Sequence, residues 1–191
     1  SNSLSIWGFT FVVLLVWWTS GRSFAQLGFA PPPPVEGQPL LIIGVFAILY
    51  MIDFFAELKN PENLSPENKT QIGFIPVTMH EYLHFSFMAF SAAVTEEILF
   101  RSYFMNYLIS VAGTNTPGIA IAIAIPAAVF GLVHLYQGWK TVIKIVAMAI
   151  FFGVIYLHLK NLWALIVIHF VVDMVGGSIG LLLAAKKQDH R

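Results

Sequence analysis

Long apolar runs separated by short polar breaks constrain this chain more than any other feature. A helix needs roughly 20 apolar residues to cross the hydrocarbon of a bilayer. Runs of that order recur along the 191 residues, of which 58% are hydrophobic and only 10% charged. Mean hydropathy is +0.77. Soluble domains carry about a quarter charged residues, so too few polar side chains are present here to clothe a water-facing surface. The runs are continuous rather than alternating, which speaks against a membrane barrel. The expectation is an all-α, multi-pass transmembrane helical bundle, one membrane-embedded domain over residues 1–191. A net charge of zero gives nothing for nucleic acid to bind, and the absence of Cys removes disulfide and thiolate chemistry.

About six spans are expected: residues 4–18, 40–55, 77–109, 118–136, 139–159 and 162–185. The proline run "APPPPVEGQP" separates the first two as a stiff, non-helical connection. "ELKNPENLSPENKTQ" forms a polar loop before the third, with Asn-Pro and Ser-Pro breakers. Pro76 suits the first position of the third helix, and "AGTNTPG" ends it. Pro126 interrupts the fourth run as a kink. Six spans put Lys59, Lys69, Lys140, Lys186, Lys187 and Arg191 on one side and Arg22 and Lys160 on the other. The positive-inside rule then places both termini in the cytoplasm of a cell-membrane protein.

Ionisable groups in a bilayer cost about 2.5–3.5 kcal/mol each on insertion scales, so each needs a partner or a purpose. Glu96, Glu97 and Arg101 fall on the third run, His134 on the fourth, His158 on the fifth, and His169 and Asp173 on the sixth. Glu97 and Arg101 are spaced i, i+4 and can pair on one helix face. Glu96 is rotated about 100° from Glu97 and can face a cavity. In "FGLVH", Phe130 and His134 share a face. In "HFVVD", Asp173 can take the His169 N–H and fix its tautomer, or both can point at one ligand. A purely structural, arginine-neutralised cluster is the alternative reading. Carboxylates and imidazoles from three core helices can instead build a site in a bundle, taking a proton from water and stabilising an oxyanion. Two His and a Glu also form a zinc ligand set.

These segments resemble a known pattern. "EEILFR" looks like E-E-x-x-x-R, "FGLVH" like F-x-x-x-H and "HFVVD" like H-x-x-x-N/D, in that order on separate spans. They are similar to the three motifs of the CPBP (ABI) family, which includes the type II CAAX prenyl endopeptidases and bacteriocin-processing enzymes. The resemblance covers roughly Val77 to Gly176 and implies an intramembrane endopeptidase. Its substrate would be a membrane-associated, prenylated or leader peptide. It implies Glu96 as the water-activating base, Glu97 as a supporting carboxylate or ligand, and Arg101 as its structural ion-pair partner. His134 would hold the water or a metal, His169 with Asp173 would line the oxyanion side, and Phe130 would pack. A zinc ion on Glu97, His134 and His169 and a metal-free glutamate mechanism are both compatible with the family. Its eukaryotic CAAX members typically carry Asn where this chain has Asp173. Other readings are a non-catalytic bacteriocin-immunity or regulatory protein of the same fold and, with less support, a proton-coupled transporter.

One more motif competes. "HEYLH" (His80, Glu81, His84) matches H-E-x-x-H, in which two His bind zinc and the Glu is the base; Asp53 or Glu57 is the candidate third ligand. On one straight helix His80 and Glu97 would lie about 25 Å apart, so the two sites exclude each other. An interfacial polar patch is the plainer account of His80–His84, and a patch lining substrate entry is a middle reading. His158 reads as interfacial, and His190 sits in a polar tail.

Overall fold

The computed structural model describes residues 2–59 and 75–189, and every described regular element is helical. We number six helices. They are α1 (Asn2–Thr19), α2 (Gln38–Lys59), α3 (Met79–Ala112), α4 (Thr116–Val133), α5 (Trp139–Leu159) and α6 (Leu162–Asp189). Helices α2 to α6 are each long and apolar enough to cross a membrane, while the apolar part of α1, Leu4–Thr19, is shorter. Lys69 and His190, with most of the polar loop before α3, lie outside the described residues.

Local chemistry explains most boundaries. Residues 31–36 of the proline run are non-helical as expected. Helix α3 begins three residues later than Pro76 suggested. Thr78 is its N-cap, accepting from the Glu81 N–H at 3.2 Å. Glu81 returns the favour by accepting from the Val77 and Thr78 N–H groups at 2.8 and 3.1 Å. This capping box satisfies N–H groups that a helix start leaves free, and a proline at the first position has no side-chain acceptor with which to do so. Asn115 caps α4 through its side chain on the Gly118 N–H at 2.9 Å. Helix α4 stops at Val133, three residues short of the expected end. His134 therefore follows the helix rather than lying within it, and a 3-10 turn, Leu135–Gln137, leads on to α5.

The unexpected feature is inside α3. From Glu97 to Met105 its backbone widens into a π-helix, then returns to α geometry. No Gly or Pro lies in that segment to announce it. Such widenings are rare and concentrate at functional sites.

The core gathers Phe46 of α2, Ala93, Ile98 and Met105 of α3, Phe152 and Tyr156 of α5, and Leu165 of α6. Lipid is as apolar as these side chains, so close contact and hydrogen bonds, rather than hydrophobic driving force, must hold the helices together. Small residues supply the contact. A Cβ on Gly131 of α4 would lie 2.3 Å from a Val146 methyl of α5, and one on Gly177 of α6 would lie 2.4 Å from the Phe85 ring of α3. Polar groups supply the ties. Tyr50 and Tyr82 donate to the Val172 and Met174 carbonyls of α6 at 2.7 and 2.8 Å. Asn106 donates to the Tyr156 hydroxyl at 2.9 Å. The segment between α1 and α2 is bound by Ser102 on the Leu27 carbonyl (2.7 Å) and Asn161 on the Ala30 carbonyl (2.8 Å). Gly131→Ala is expected to lower stability by about 1–3 kcal/mol through overpacking, read as a fall in the melting temperature of the detergent-purified protein; an unchanged melting point would contradict the close α4–α5 approach.

Candidate active site

The expected polar residues converge. Glu96 is the last α-helical residue before the π segment of α3 and Glu97 the first within it. Glu97 is wholly buried against the bundle, whereas Glu96, with a side chain 13% exposed, turns to a cavity of about 660 Å³. His134, His169 and Asp173 line the same cavity. Arg101 and Glu97 do not line it; they stand behind it.

Glu97 and Arg101 pair at 3.1 Å, as their spacing predicts. The guanidinium lies between two rings, its central carbon 4.9 Å from the Phe130 centroid and 5.4 Å from that of Phe152. Its approach to Glu97 is an ion pair without hydrogen-bond alignment. Among the described residues, Arg101 Nη1, Nη2 and Glu97 Oε2 have no hydrogen-bond partner. The aromatic faces provide cation–π contact in their place. Phe130 thus does more than pack, and Phe152, which no motif contains, completes the sandwich.

One expectation about His169 is corrected. Its Nδ1 lies 2.8 Å from Glu97 Oε1, and a carboxylate can only accept, so Nδ1 carries the proton. Asp173, the partner suggested by the i, i+4 spacing, is 3.7 Å from the other nitrogen, Nε2, beyond hydrogen-bond length. Glu96 Oε2 is also 3.7 Å from Nε2. The tautomer is therefore set across helices by Glu97, and Nε2 faces the cavity between two carboxylates. A single-helix spacing argument could not anticipate this, because the π segment and the α3–α6 packing determine which carboxylate reaches the ring. His134 is oriented likewise: its Nδ1 donates to the Phe130 carbonyl at 2.7 Å, leaving Nε2 free.

The zinc set expected on Glu97, His134 and His169 does not fit this arrangement. Glu97 Oε1 and His169 Nδ1 are spent on each other, and Glu97 lies outside the cavity. Among the described residues no three His, Asp or Glu side chains cluster as metal ligands.

The zinc-protease reading of "HEYLH" fares no better. Glu81, its would-be base, is the carboxylate of the capping box. Asp53 and Glu57, the suggested third ligands, both bind Lys144 of α5, at 2.7 and 2.6 Å. That triad lines the mouth of the cavity, together with Tyr136, Gln137 and Thr141. Lys144 and Tyr50, also a lining residue, went unnoticed in the sequence because neither belongs to a motif. His158 is exposed, with its Nδ1 on the Val154 carbonyl at 2.9 Å.

The family model described as type II CAAX prenyl endopeptidase Rce1-like matches residues 78–175, half of the chain, and spans all three motifs. The chain belongs to the Rce1-like family. It is thus a multi-pass membrane protein of a protease family whose substrates are peptides at the membrane. No curated protein and no solved structure matches the chain.

For this Rce1-like protein, removing Arg101 leaves a buried carboxylate without its counter-charge. Arg101→Ala is expected to destabilise by about 3–5 kcal/mol, whereas Glu97→Gln with Arg101→Met should lose much less. Thermal unfolding of the two variants against wild type checks this, and equal losses would contradict it. The partly exposed Lys144 pairs contribute less, so Lys144→Ala should shift stability by about 1 kcal/mol or less in the same assay.

Proposed function

We propose that this chain is an intramembrane endopeptidase in which Glu96 activates water, with His134 and His169 as its cavity-facing partners. What supports the reading is one observation: Glu96, His134, His169 and Asp173, from two helices and the turn after a third, line a single cavity. Its volume of about 660 Å³ lies in the range of small-ligand and peptide sites.

Each residue has a role that follows from its contacts. Among the described residues, Glu96 has no ion-pair partner closer than His169 Nε2 at 3.7 Å, so its oxygens are available to a water molecule. It takes a proton as the water oxygen bonds to the scissile carbonyl carbon. The carbonyl oxygen becomes an oxyanion, which a doubly protonated imidazole stabilises by donating from its cavity-facing Nε2, since Nδ1 of His134 and of His169 already donates elsewhere. When the C–N bond breaks, the proton held by Glu96 passes to the leaving amine, which restores the carboxylate. Glu97 and Arg101 take no proton in this scheme; they fix the His169 ring. Asp173 borders the same nitrogen and helps set the local charge.

The substrate is a peptide held at the membrane, with a prenylated C-terminal segment and a leader peptide as the two classes to compare. With α1 counted as a span, both termini lie on the cytoplasmic side.

Glu96→Gln keeps size and hydrogen bonding while removing the base. It is expected to reduce cleavage of a membrane-peptide panel by about 10²–10⁴-fold while the protein inserts and melts as wild type. His134→Ala should act similarly. Cleavage at wild-type rate by purified Glu96→Gln would remove this reading.

A further inference from the structure

The pair His80 and His84 remains outside the hydrolytic reading. Neither lines the cavity, and Glu96 lies twelve residues beyond His84, about 18 Å along the helix axis. With Glu81 tied to the capping box, the motif reduces to two exposed imidazoles one turn apart.

Their geometry is specific. The two Nε2 atoms are 3.3 Å apart. The ring centroids are 4.5 Å apart with planes at 76°. The nitrogens are closer than the centroids, so the two Nε2 edges face each other. An ion held by imidazole at about 2.0–2.1 Å from each nitrogen would see them at an angle of roughly 104–111°, close to the tetrahedral value that zinc prefers. The backbone beneath the pair is fixed by the capping box, so the chelate is preorganised up to its side-chain torsions.

We propose that His80 and His84 chelate one divalent d-block cation, Zn²⁺ or Cu²⁺, through both Nε2 atoms. The site is peripheral to the catalytic cavity. Among the described residues no third His, Asp or Glu completes it, so water fills the remaining positions and no base stands beside them. The site binds without hydrolysing. It also clips the first two turns of the helix that carries Glu96 and Glu97. One consequence bears on mechanism: zinc carried by the purified protein belongs to this pair, and metal content alone does not identify a metalloprotease.

The test is titration of the purified full-length chain in detergent with Cu²⁺, then with Zn²⁺ in competition. Binding of one equivalent of Cu²⁺ is expected, with an electron paramagnetic resonance signal showing imidazole coordination. Affinity should follow the order Cu²⁺ over Ni²⁺ over Co²⁺, with Mg²⁺ not competing. His80→Ala and His84→Ala should each weaken binding by roughly tenfold or more, while His158→Ala and His134→Ala leave it unchanged. Zn²⁺ should raise the melting temperature of wild type but not of the two variants. Wild-type Cu²⁺ affinity in either His80→Ala or His84→Ala overturns the proposal. So does loss of the bound equivalent in His134→Ala, which would assign the metal to the cavity, or no binding at about 1 mM Cu²⁺.

Discussion

A carboxylate with no solvent exposure, deep in an apolar bundle, is the constraint around which the rest of this structure is arranged. Glu97 is affordable there only because Arg101 stands 3.1 Å away and His169 donates to it at 2.8 Å. Arg101 in turn needs Phe130 and Phe152, because its Nη atoms have no hydrogen-bond partner among the described residues. Four helices therefore meet at one ionised side chain: α3 through Glu97 and Arg101, α4 through Phe130, α5 through Phe152 and α6 through His169. In lipid, helix packing lacks the hydrophobic drive that holds soluble cores, so such a junction also helps define which faces meet. The same contacts that neutralise Glu97 orient the His169 ring toward the cavity.

Adjacent Glu96 and Glu97 thereby acquire opposite environments. The change of backbone geometry falls between them, with α-helix up to Glu96 and π-helix from Glu97. One acid is locked inside the protein and used for architecture. Its neighbour borders the cavity and keeps its oxygens free. Two carboxylates with distinct surroundings are what acid–base chemistry needs from otherwise identical groups.

How much of this was legible follows from where the physics acts. The helices were readable because spanning length and apolar continuity are properties of local sequence, and five runs matched them closely. The Glu97–Arg101 pair was readable because i, i+4 neighbours belong to one helix. Local rules failed where a second element intervenes. The His169 tautomer depends on Glu97, 72 positions away, and not on Asp173 one turn along. Helix α3 starts after Thr78 rather than with Pro76 at its first position because Glu81, a base only in the competing zinc-protease reading, completes a capping box with Thr78. The π segment carries no Gly or Pro signature, so composition gave no warning of it. Lys144 joins α2 to α5 across the cavity mouth, a contact visible only once those helices are side by side.

Hydrolysis consumes water, and the hydrocarbon core of a bilayer supplies almost none. A site inside the bundle therefore needs a wet route as well as a base. The cavity provides one in its lining. Its inner part is walled by Phe46, Phe85, Phe151 and Ile179, yet its mouth carries Asp53, Glu57, Lys144, Gln137 and Thr141. Asp53 and Lys144 side chains are each 43% exposed, so this end of the lining reaches the surface of the bundle. Charged side chains at the mouth are paired with one another, Lys144 with Asp53 and Glu57, which lowers the cost of placing them on membrane-spanning helices. The ion pairs that span α2 and α5 are individually weak in such a setting, so they can fix the opening without locking it. A buried network that holds one histidine rigid and a charged, surface-reaching mouth that joins α2 to α5 are complementary demands. The chain meets both by keeping the buried Glu97–Arg101 pair behind the cavity and its part-exposed Lys144 pairs on the lining itself.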